Sequence, residues 1–347
     1  MQARSKLTVL GIECTAHTFG CGIACSEGCP ASGSSPGPGP REIIANARSE
    51  YIPKSGGIHP REASQHHADV APSVIGEALR RSGLRLSDLD AVALSAGPGL
   101  GPCLRTGATV ARMLALTAGR PLVMVNHSVA HIEIGRLSSG EPDPLVAYVS
   151  GGNTIVSAFS GGRYRVFGET LDVALGNCLD TFARGLGLQH PGVPKLEALA
   201  EKGKSFIPLP YVVKGQDVSY SGLLTTALRM IGGHDPADLS LSLLETAYGM
   251  FAEVVERALA HTEKESLLLT GGVSRSRRLQ RMLEAVCRDH SARFFVVPPE
   301  LAGDNGGMIA WTGVLALREG LETPVAASYV RPRWRLDEVE VPWRREC

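Results

Sequence analysis

Residues 7–25 read LTVLGIECTAHTFGCGIAC, and residues 145–159 read LVAYVSGGNTIVSAF. In each, an apolar run meets a turn of polar or glycine residues and a second apolar run follows, which predicts two strands joined as a hairpin. The strands are Leu7–Cys14 and Gly20–Cys25 in the first stretch, and Leu145–Ser150 and Thr154–Phe159 around Gly151–Gly152–Asn153 in the second. Working outward, each pair gains a third strand, Glu42–Glu50 and Arg163–Phe167. Helices and strands then alternate. In the first half they are a helix over Arg61–Arg81, a strand at Ala91–Ser95, a helix over Leu104–Thr117, a strand at Leu122–Val125 and a helix over His127–Arg136. In the second half they are helices over Asp172–Leu186, from Pro194, and over Leu239–His261, a strand at Ser266–Thr270, a helix over Arg275–Arg288, a strand at Phe294–Val297 and a helix over Asn305–Leu317. Strand–helix–strand units imply parallel pairing with right-handed crossovers.

The same order occurs twice, so the expected architecture is α/β with two similar lobes, residues 1–144 and 145–330, followed by a tail at 331–347. A cleft between the lobes would let glycine turns from both meet a ligand. This order resembles the actin/hexokinase/Hsp70 superfamily (ASKHA), whose turns hold nucleotide phosphates.

The length of 347 residues suits two domains with ample core. Lys+Arg and Asp+Glu are both 35, which excludes a chain that holds nucleic acid by bulk charge alone. With 44% apolar and 20% charged residues, disorder of the whole chain is excluded too. No apolar run is long enough for a transmembrane helix, and Glu13 interrupts the N-terminal one, so the reading is soluble, cytoplasmic and without a membrane partner. Cys21, Cys25 and Cys29 recur every four residues; they read as thiols of a strand and its turn rather than metal ligands. Residues 26–40, SEGCPASGSSPGPGP, read as a flexible insertion.

Chemistry concentrates in a few places. In His127-Ser-Val-Ala-His131 the histidines are four apart, so on a helix both imidazoles share a face and can reach one metal ion. Glu133 lies outside the pair, which is not the zinc-protease pattern. Asp304, in AGDNGGMIAW, is the candidate oxygen ligand from the second half, and its position equally suits a helix N-cap. The strand running into Ser150–Gly151–Gly152 can cradle phosphate or carboxylate with backbone amides, and so can Gly271–Gly272 and Gly97–Pro102. No Walker A sequence is present. Asp180 and Glu197 are carboxylates that could accept ribose hydroxyls. Glu13, at the end of the first strand, could assist chemistry or hydrogen-bond its turn.

Together and in order, GIECTAHTFGCGI, GIHPREASQHH, SAGPGLGPCLRTGATVAR, NHSVAHIEIGR, YVSGGNT, FGETLDVALGNCLDTFAR, PYVVKGQDVSYSGLLT, LLTGGVS and GDNGGMIAW resemble the tRNA threonylcarbamoyladenosine transferase family, formerly the O-sialoglycoprotein endopeptidase family. NHSVAHIEIGR with KGQDVSYSGLLT resembles its archaeal and eukaryotic branch, the catalytic subunit of KEOPS. The resemblance implies transfer of threonylcarbamoyl from threonylcarbamoyl-adenylate to the exocyclic amine of the adenosine beside the anticodon, in tRNAs reading A-starting codons. It implies one divalent metal, iron or zinc, on His127, His131 and Asp304, with Tyr148 as a further ligand. It places Tyr148, Val149, Ser150, Gly151 and Gly152 on the adenylate, Asp180 and Glu197 on the nucleoside, and a KEOPS-like kinase and small accessory subunits as partners. Glu13 is the candidate general base.

Two positions depart from the family. Val193 stands where the family usually carries the second glycine of Gly-Gly-Pro, and Ser276 where it usually carries asparagine. Both are carried as substrate-binding candidates, the serine with shorter reach and no amide fork. The competing readings are a kinase or ATPase of the same superfold, a metalloprotease, and a non-catalytic scaffold. Since the whole chain is neutral, tRNA affinity is expected to be local, and Arg275, Arg277, Arg278, Arg281, Arg288 and Arg293 form the candidate patch.

Overall fold

The computed structural model describes residues 6–27, 40–53, 56–189 and 191–344. Its elements run β1 (Thr8–Glu13), β2 (Thr18–Cys25), β3 (Ile43–Glu50), α1 (Pro60–Ser82), β4 (Ala91–Gly97), α2 (Gly101–Ala118), β5 (Leu122–Asn126) and α3 (His127–Ser139). They continue as β6 (Leu145–Val149), β7 (Thr154–Ser160), β8 (Arg163–Glu169), α4 (Leu175–Gly185), α5 (Gly192–Ala200), β9 (Val213–Lys214), β10 (Asp217–Val218), α6 (Ser221–Met230) and α7 (Pro236–Thr262). The last are β11 (Ser266–Thr270), α8 (Arg277–Asp289), β12 (Arg293–Val296), α9 (Pro299–Ala302) and α10 (Gly306–Arg318). By packing, one unit comprises Met1–Ser138, Ser160–Tyr164 and Asp304–Cys347, and the other Ser139–Phe159 and Arg165–Gly303.

In the first unit a five-stranded sheet has the order β3-β2-β1-β4-β5. β1 is antiparallel to β2 and parallel to β4, and β4 is parallel to β5. Every residue of β1, β2 and β4 is buried, because helices cover both faces of the sheet. Alternation along β1 divides the labour: Leu10 and Ile12 join Phe19, Ile23, Leu94 and Leu104 in one core, while Gly11 faces α10. On that second face small residues set the spacing. A β-carbon on Gly22 would lie 2.2 Å from the backbone nitrogen of Gly307, so only glycine lets β2 and the first turn of α10 come this close. The glycines of GCGI and GDNGG, remote in sequence, thus meet as one contact.

The second sheet has the order β12-β11-β6-β7-β8, with β11 parallel to β6 and to β12, and β6 antiparallel to β7. Leu145, Ala147 and Val149 of β6 and Leu267 and Leu269 of β11 pack in a core with Phe182, Leu243 and Phe251. Tyr148 lies on the opposite face of β6 by strand alternation, and is fully buried.

Five elements depart from expectation. Helix α4 begins at Leu175 rather than Asp172, because the Asp172 carboxylate accepts hydrogen bonds from the Ser219 hydroxyl (2.6 Å), the Ser221 hydroxyl (2.6 Å) and the Tyr220 amide (2.9 Å). The β9–β10 ladder and α6 stand between α5 and α7, where the sequence suggested no element. Helix α7 begins earlier, at Pro236, capped by Asp235. Cys21 and Cys25 are buried in β2, and burial pushes the Cys21 thiol well up. Cys29 and most of the 26–40 insertion lie outside the described residues. No helix among the described residues is long and apolar enough to cross a membrane.

Candidate active site

Helix α3 follows β5 directly, and Asn126 at the junction caps it. Its Oδ1 accepts from the amides of Ser128 (2.9 Å) and Val129 (3.1 Å), supplying partners for donors that a helix start leaves orphaned. The cap fixes the first turns, and the i, i+4 spacing puts His127 and His131 side by side, ring centroids 4.7 Å apart and nearly perpendicular. Asp304 completes the group from the loop before α10. Its Oδ1 lies 3.2 Å from His131 Nε2 and 3.5 Å from His127 Nε2. The N-cap of α10 is Asn305, whose Oδ1 accepts from Met308 N at 3.0 Å. Asp304 is therefore not the cap, and its carboxylate is turned to the imidazoles. Although it belongs to the second half of the sequence, it packs with the first unit.

Behind His127 stands Glu13. Its Oε2 lies 2.9 Å from His127 Nδ1, and its Oε1 accepts from the Thr15 amide (2.7 Å) and hydroxyl (2.6 Å). A carboxylate on Nδ1 orients the ring and keeps a proton on that nitrogen, so that a metal ion displacing the Nε2 proton would meet its lone pair on the Asp304 side. Burial alone would lower the His127 pKa, but the Glu13 and Asp304 carboxylates outweigh it and raise it to about 9. For His131 burial prevails and the pKa falls. Burial opposes ionisation of Asp304 as well, yet the two imidazoles hold its carboxyl well below the usual carboxylate range. Among the described residues, His127, His131 and Asp304 are the group whose ligand atoms converge enough to hold a metal ion, all within 4.8 Å of one another. Two imidazole nitrogens and a carboxylate oxygen suit a divalent transition metal or zinc. Glu133 on the same helix is committed elsewhere: it accepts from Tyr164 Oη at 2.7 Å and from Arg136 at 2.6 Å.

In the second unit the Tyr148–Asn153 turn is held by its own serine. Ser150 Oγ accepts from the amides of Gly152 (3.3 Å) and Asn153 (3.0 Å), and Asn153 Nδ2 donates to Tyr148 Oη at 3.2 Å. Nothing lies within 4 Å of where a β-carbon on Gly151 or Gly152 would sit, so the backbone of both is open to an approaching group. The start of α4 docks on the turn, with Gly176 N donating to Ser150 O at 3.2 Å.

The nucleoside candidates fall into two hydrogen-bonded sets. Asp180 Oδ1 accepts from the amides of Gly192 (3.0 Å) and Val193 (3.2 Å), tying α4 to the start of α5. The Val193 side chain packs against the apolar core, so it is the backbone of this residue that meets Asp180. Glu197 accepts from Tyr248 Oη at 2.8 Å, and the Ser276 side chain stands near the same hydroxyl. Ser276 caps α8, accepting from Leu279 N at 3.2 Å. The sequence reading missed Tyr248. It sits mid-helix in an apolar run, and no local signal marks a tyrosine whose hydroxyl binds the Glu197 carboxylate of another helix. The arginine patch also reads differently in three dimensions: Arg278 pairs with Glu245, Arg293 with Glu141, and Arg275 donates to the Pro299 carbonyl.

Comparison with known proteins decides the family. The model described as TsaD, tRNA N6-adenosine threonylcarbamoyltransferase, matches residues 41–311. A protein of Thermofilum pendens named tRNA N6-adenosine threonylcarbamoyltransferase is 57% identical over 340 residues, 97% of each chain. The chain belongs to the tRNA N6-adenosine threonylcarbamoyltransferase family. Proteins of the same name from Hyperthermus butylicus, 54% identical over 98% of this chain and 92% of their own, and from Archaeoglobus fulgidus, 50% identical over 97% and 100%, agree. As a tRNA N6-adenosine threonylcarbamoyltransferase the chain is an acyltransferase that modifies tRNA. HypF of T. kodakarensis shares the fold, with a TM-score of 0.62 at 18% identity, over 92% of this chain and 49% of that one. So does the activator of the 2-hydroxyisocaproyl-CoA dehydratase from Clostridium difficile, with a TM-score of 0.52 at 11% identity, over 92% and 99%. These likenesses bear out the actin/hexokinase/Hsp70-like α/β fold expected from the order of elements.

Proposed function

We propose that this transferase takes threonylcarbamoyl-adenylate as donor and the adenosine next to the anticodon as acceptor, with one divalent metal, iron or zinc, on His127, His131 and Asp304. The observation that carries the reading is the convergence of both Nε2 atoms on one Asp304 oxygen, with Glu13 behind His127. A bound divalent ion supplies Lewis-acid polarisation and a fixed point for phosphate or carboxylate oxygens.

The remaining chemistry needs orientation. The adenylate is a mixed anhydride and already activated, so no covalent enzyme nucleophile is required. The adenosine N6 forms a bond to the carbamoyl carbon, the bond from that carbon to the phosphate oxygen breaks, AMP leaves, and N6 gives up one proton. The open backbone of Gly151 and Gly152 binds the donor's anionic groups, as glycine-turn amides do. Tyr148, Val149 and Ser150 shape that turn, and Tyr148 is carried as a further metal ligand. Asp180 and Glu197 hold the nucleoside hydroxyls, with the Val193 backbone and Ser276 supporting them.

Glu13 has both carboxylate oxygens engaged, one on His127 and one on Thr15. We assign it to positioning the imidazole rather than to taking the N6 proton. Glu13→Gln keeps the shape and removes the charge, and is expected to weaken metal affinity about tenfold to a hundredfold. Metal titration of the purified chain checks this; unchanged affinity returns Glu13 to the general-base role. The chain works in the cytoplasm with a KEOPS-like kinase and small accessory subunits. The function as a whole is tested by reconstitution with tRNA, threonylcarbamoyl-adenylate and those subunits. Modified adenosine that disappears on chelation and returns with iron or zinc supports the reading, and undiminished modification after complete metal removal rejects it.

A further inference from the structure

Near the C-terminus the sequence reads Arg331-Pro332-Arg333-Trp334-Arg335, with no acidic residue in the run. The segment is strapped onto the first unit. Arg331 N donates to Ala96 O at 2.7 Å, and Pro332 O accepts from Gly99 N at 3.1 Å, fastening it to the end of β4 and to the loop between β4 and α2. Trp334 O accepts from Asn126 Nδ2 at 3.1 Å, and Asn126 is the cap of the helix that starts at His127. The same loop reaches the metal-ligand group from its other side, since Leu100 N donates to Thr15 O at 2.7 Å and Thr15 holds Glu13. Each connection is a single residue or hydrogen bond long, so the exposed face of the strap stands in fixed relation to His127.

That face is cationic. Arg331, Arg333 and Arg105 are exposed and have no ion-pair partner among the described residues. Arg105 lies beside the strap: a β-carbon on Gly101 would lie 3.3 Å from Arg105 Nη1 and 3.9 Å from Pro332 Cγ. Arg331, Pro332, Arg333, Trp334 and Glu338 line an open groove of about 470 Å³. The Arg331 guanidinium stacks 4.8 Å from the centre of the Trp334 ring, which presents a flat cationic surface. Arg335 is paired with Asp337, and the Glu338 carboxylate accepts from Arg335 N.

We propose that Arg105, Arg331 and Arg333, with Trp334, hold the tRNA backbone on the first unit and deliver the anticodon-loop adenosine to the metal-ligand group. The inference rests on the transferase reading above. Charge complementarity commits the surface to a polyanion, and three guanidinium groups without ion-pair partners, one of them stacked on an aromatic ring, suit the phosphates and unstacked bases of an RNA loop. The rival surface is the arginine patch around α8: Arg275, Arg278 and Arg293 are engaged within their own unit, Arg277, Arg281 and Arg288 are exposed, and the strap is favoured over them by its hydrogen bond to Asn126 at the start of the metal-ligand helix.

The test uses the full chain in the reconstituted transfer reaction, with threonylcarbamoyl-adenylate and unmodified tRNA supplied. Arg105→Gln, Arg331→Gln and Arg333→Gln combined should raise the KM for tRNA about tenfold or more, with kcat and the KM for the adenylate changed by less than about twofold. The salt dependence of binding to fluorescent tRNA should flatten by about two in log–log slope, three contacts at roughly 0.7 each. Arg333→Lys, which keeps the charge, should recover most of the affinity lost in Arg333→Gln, and metal content should not change. An unaltered KM and slope, in a chain that modifies tRNA normally, overturns the surface and leaves the function standing. So does a loss produced by Arg277→Glu and Arg281→Glu while the strap variants behave as the parent, or a loss only of binding to an acidic protein. If the unsubstituted chain carrying its metal modifies no tRNA, the functional reading fails first and the surface with it.

Discussion

Replacing His127 and His131 together with alanine is expected to lower tRNA modification by about a thousandfold or more and to abolish stoichiometric metal binding. The two side chains are the nitrogen donors of the group, and both are buried against Asp304. With both removed, only the Asp304 carboxylate and the proposed Tyr148 oxygen remain, too few donors to hold a transition metal or zinc against water. Because α3 is buried over its first nine residues, the double variant also leaves a small void, and loss of activity could then reflect loss of structure. His127→Gln separates the two effects. It preserves volume and a hydrogen bond to Glu13 while removing the imidazole donor. It should fold with an unchanged circular dichroism spectrum, bind little metal in elemental analysis, and modify tRNA far more slowly by nucleoside mass spectrometry. A rate within about twofold of the parent from a folded His127→Gln chain without metal would sink the mechanism.

The second large effect is expected far from any ligand atom. Gly22→Ala should cost about 3 kcal/mol or more of stability and weaken metal affinity about tenfold. The new methyl would lie 2.2 Å from Gly307 N and 2.4 Å from Gly306 C, both backbone atoms that cannot rotate aside. Relief requires the first turn of α10 to move off the sheet. That turn is anchored through Asn305, which accepts from Asn46 Nδ2 at 3.2 Å, and Asp304 is its immediate neighbour. Displacing the turn therefore pulls the carboxylate from the histidines. Gly76→Ala is the control. Gly76 is an exposed position inside α1 with nothing within 4 Å of its β-carbon site, so alanine should be neutral or stabilise by about 0.5–1 kcal/mol. Thermal unfolding and metal titration read both. Equal behaviour of the two variants would show that the sheet–helix contact does not set the site.

Much of this was legible one residue at a time. The histidine pair declares itself because helical periodicity is local: four residues bring His131 above His127 whatever lies elsewhere. The hairpins at 7–25 and 145–159 are legible for the same reason, since alternation and a turn need only short-range information. Asp304 was legible as a residue type in a glycine-rich loop, but its choice between helix cap and ligand was not. Asn305 takes the cap, and that depends on which of two adjacent side chains the loop turns inward. Tyr248 was not legible at all, because its meaning lies in Glu197 and Ser276, on helices distant in sequence.

The sequence by itself determined the doubled α/β order and, through motifs spread along the chain, the resemblance to a tRNA-modifying transferase. These follow from local periodicity and from the identity of short runs. Only the tertiary structure decided that Asp304 packs with the first unit, that Glu13 spends both oxygens on Thr15 and His127, and that Arg331 and Arg333 sit on a strap tied to Asn126. The physical reason is common to all three. Hydrogen bonds and ion pairs between remote segments are selected by packing, and the glycine contact of β2 with α10 shows how tightly that packing is set.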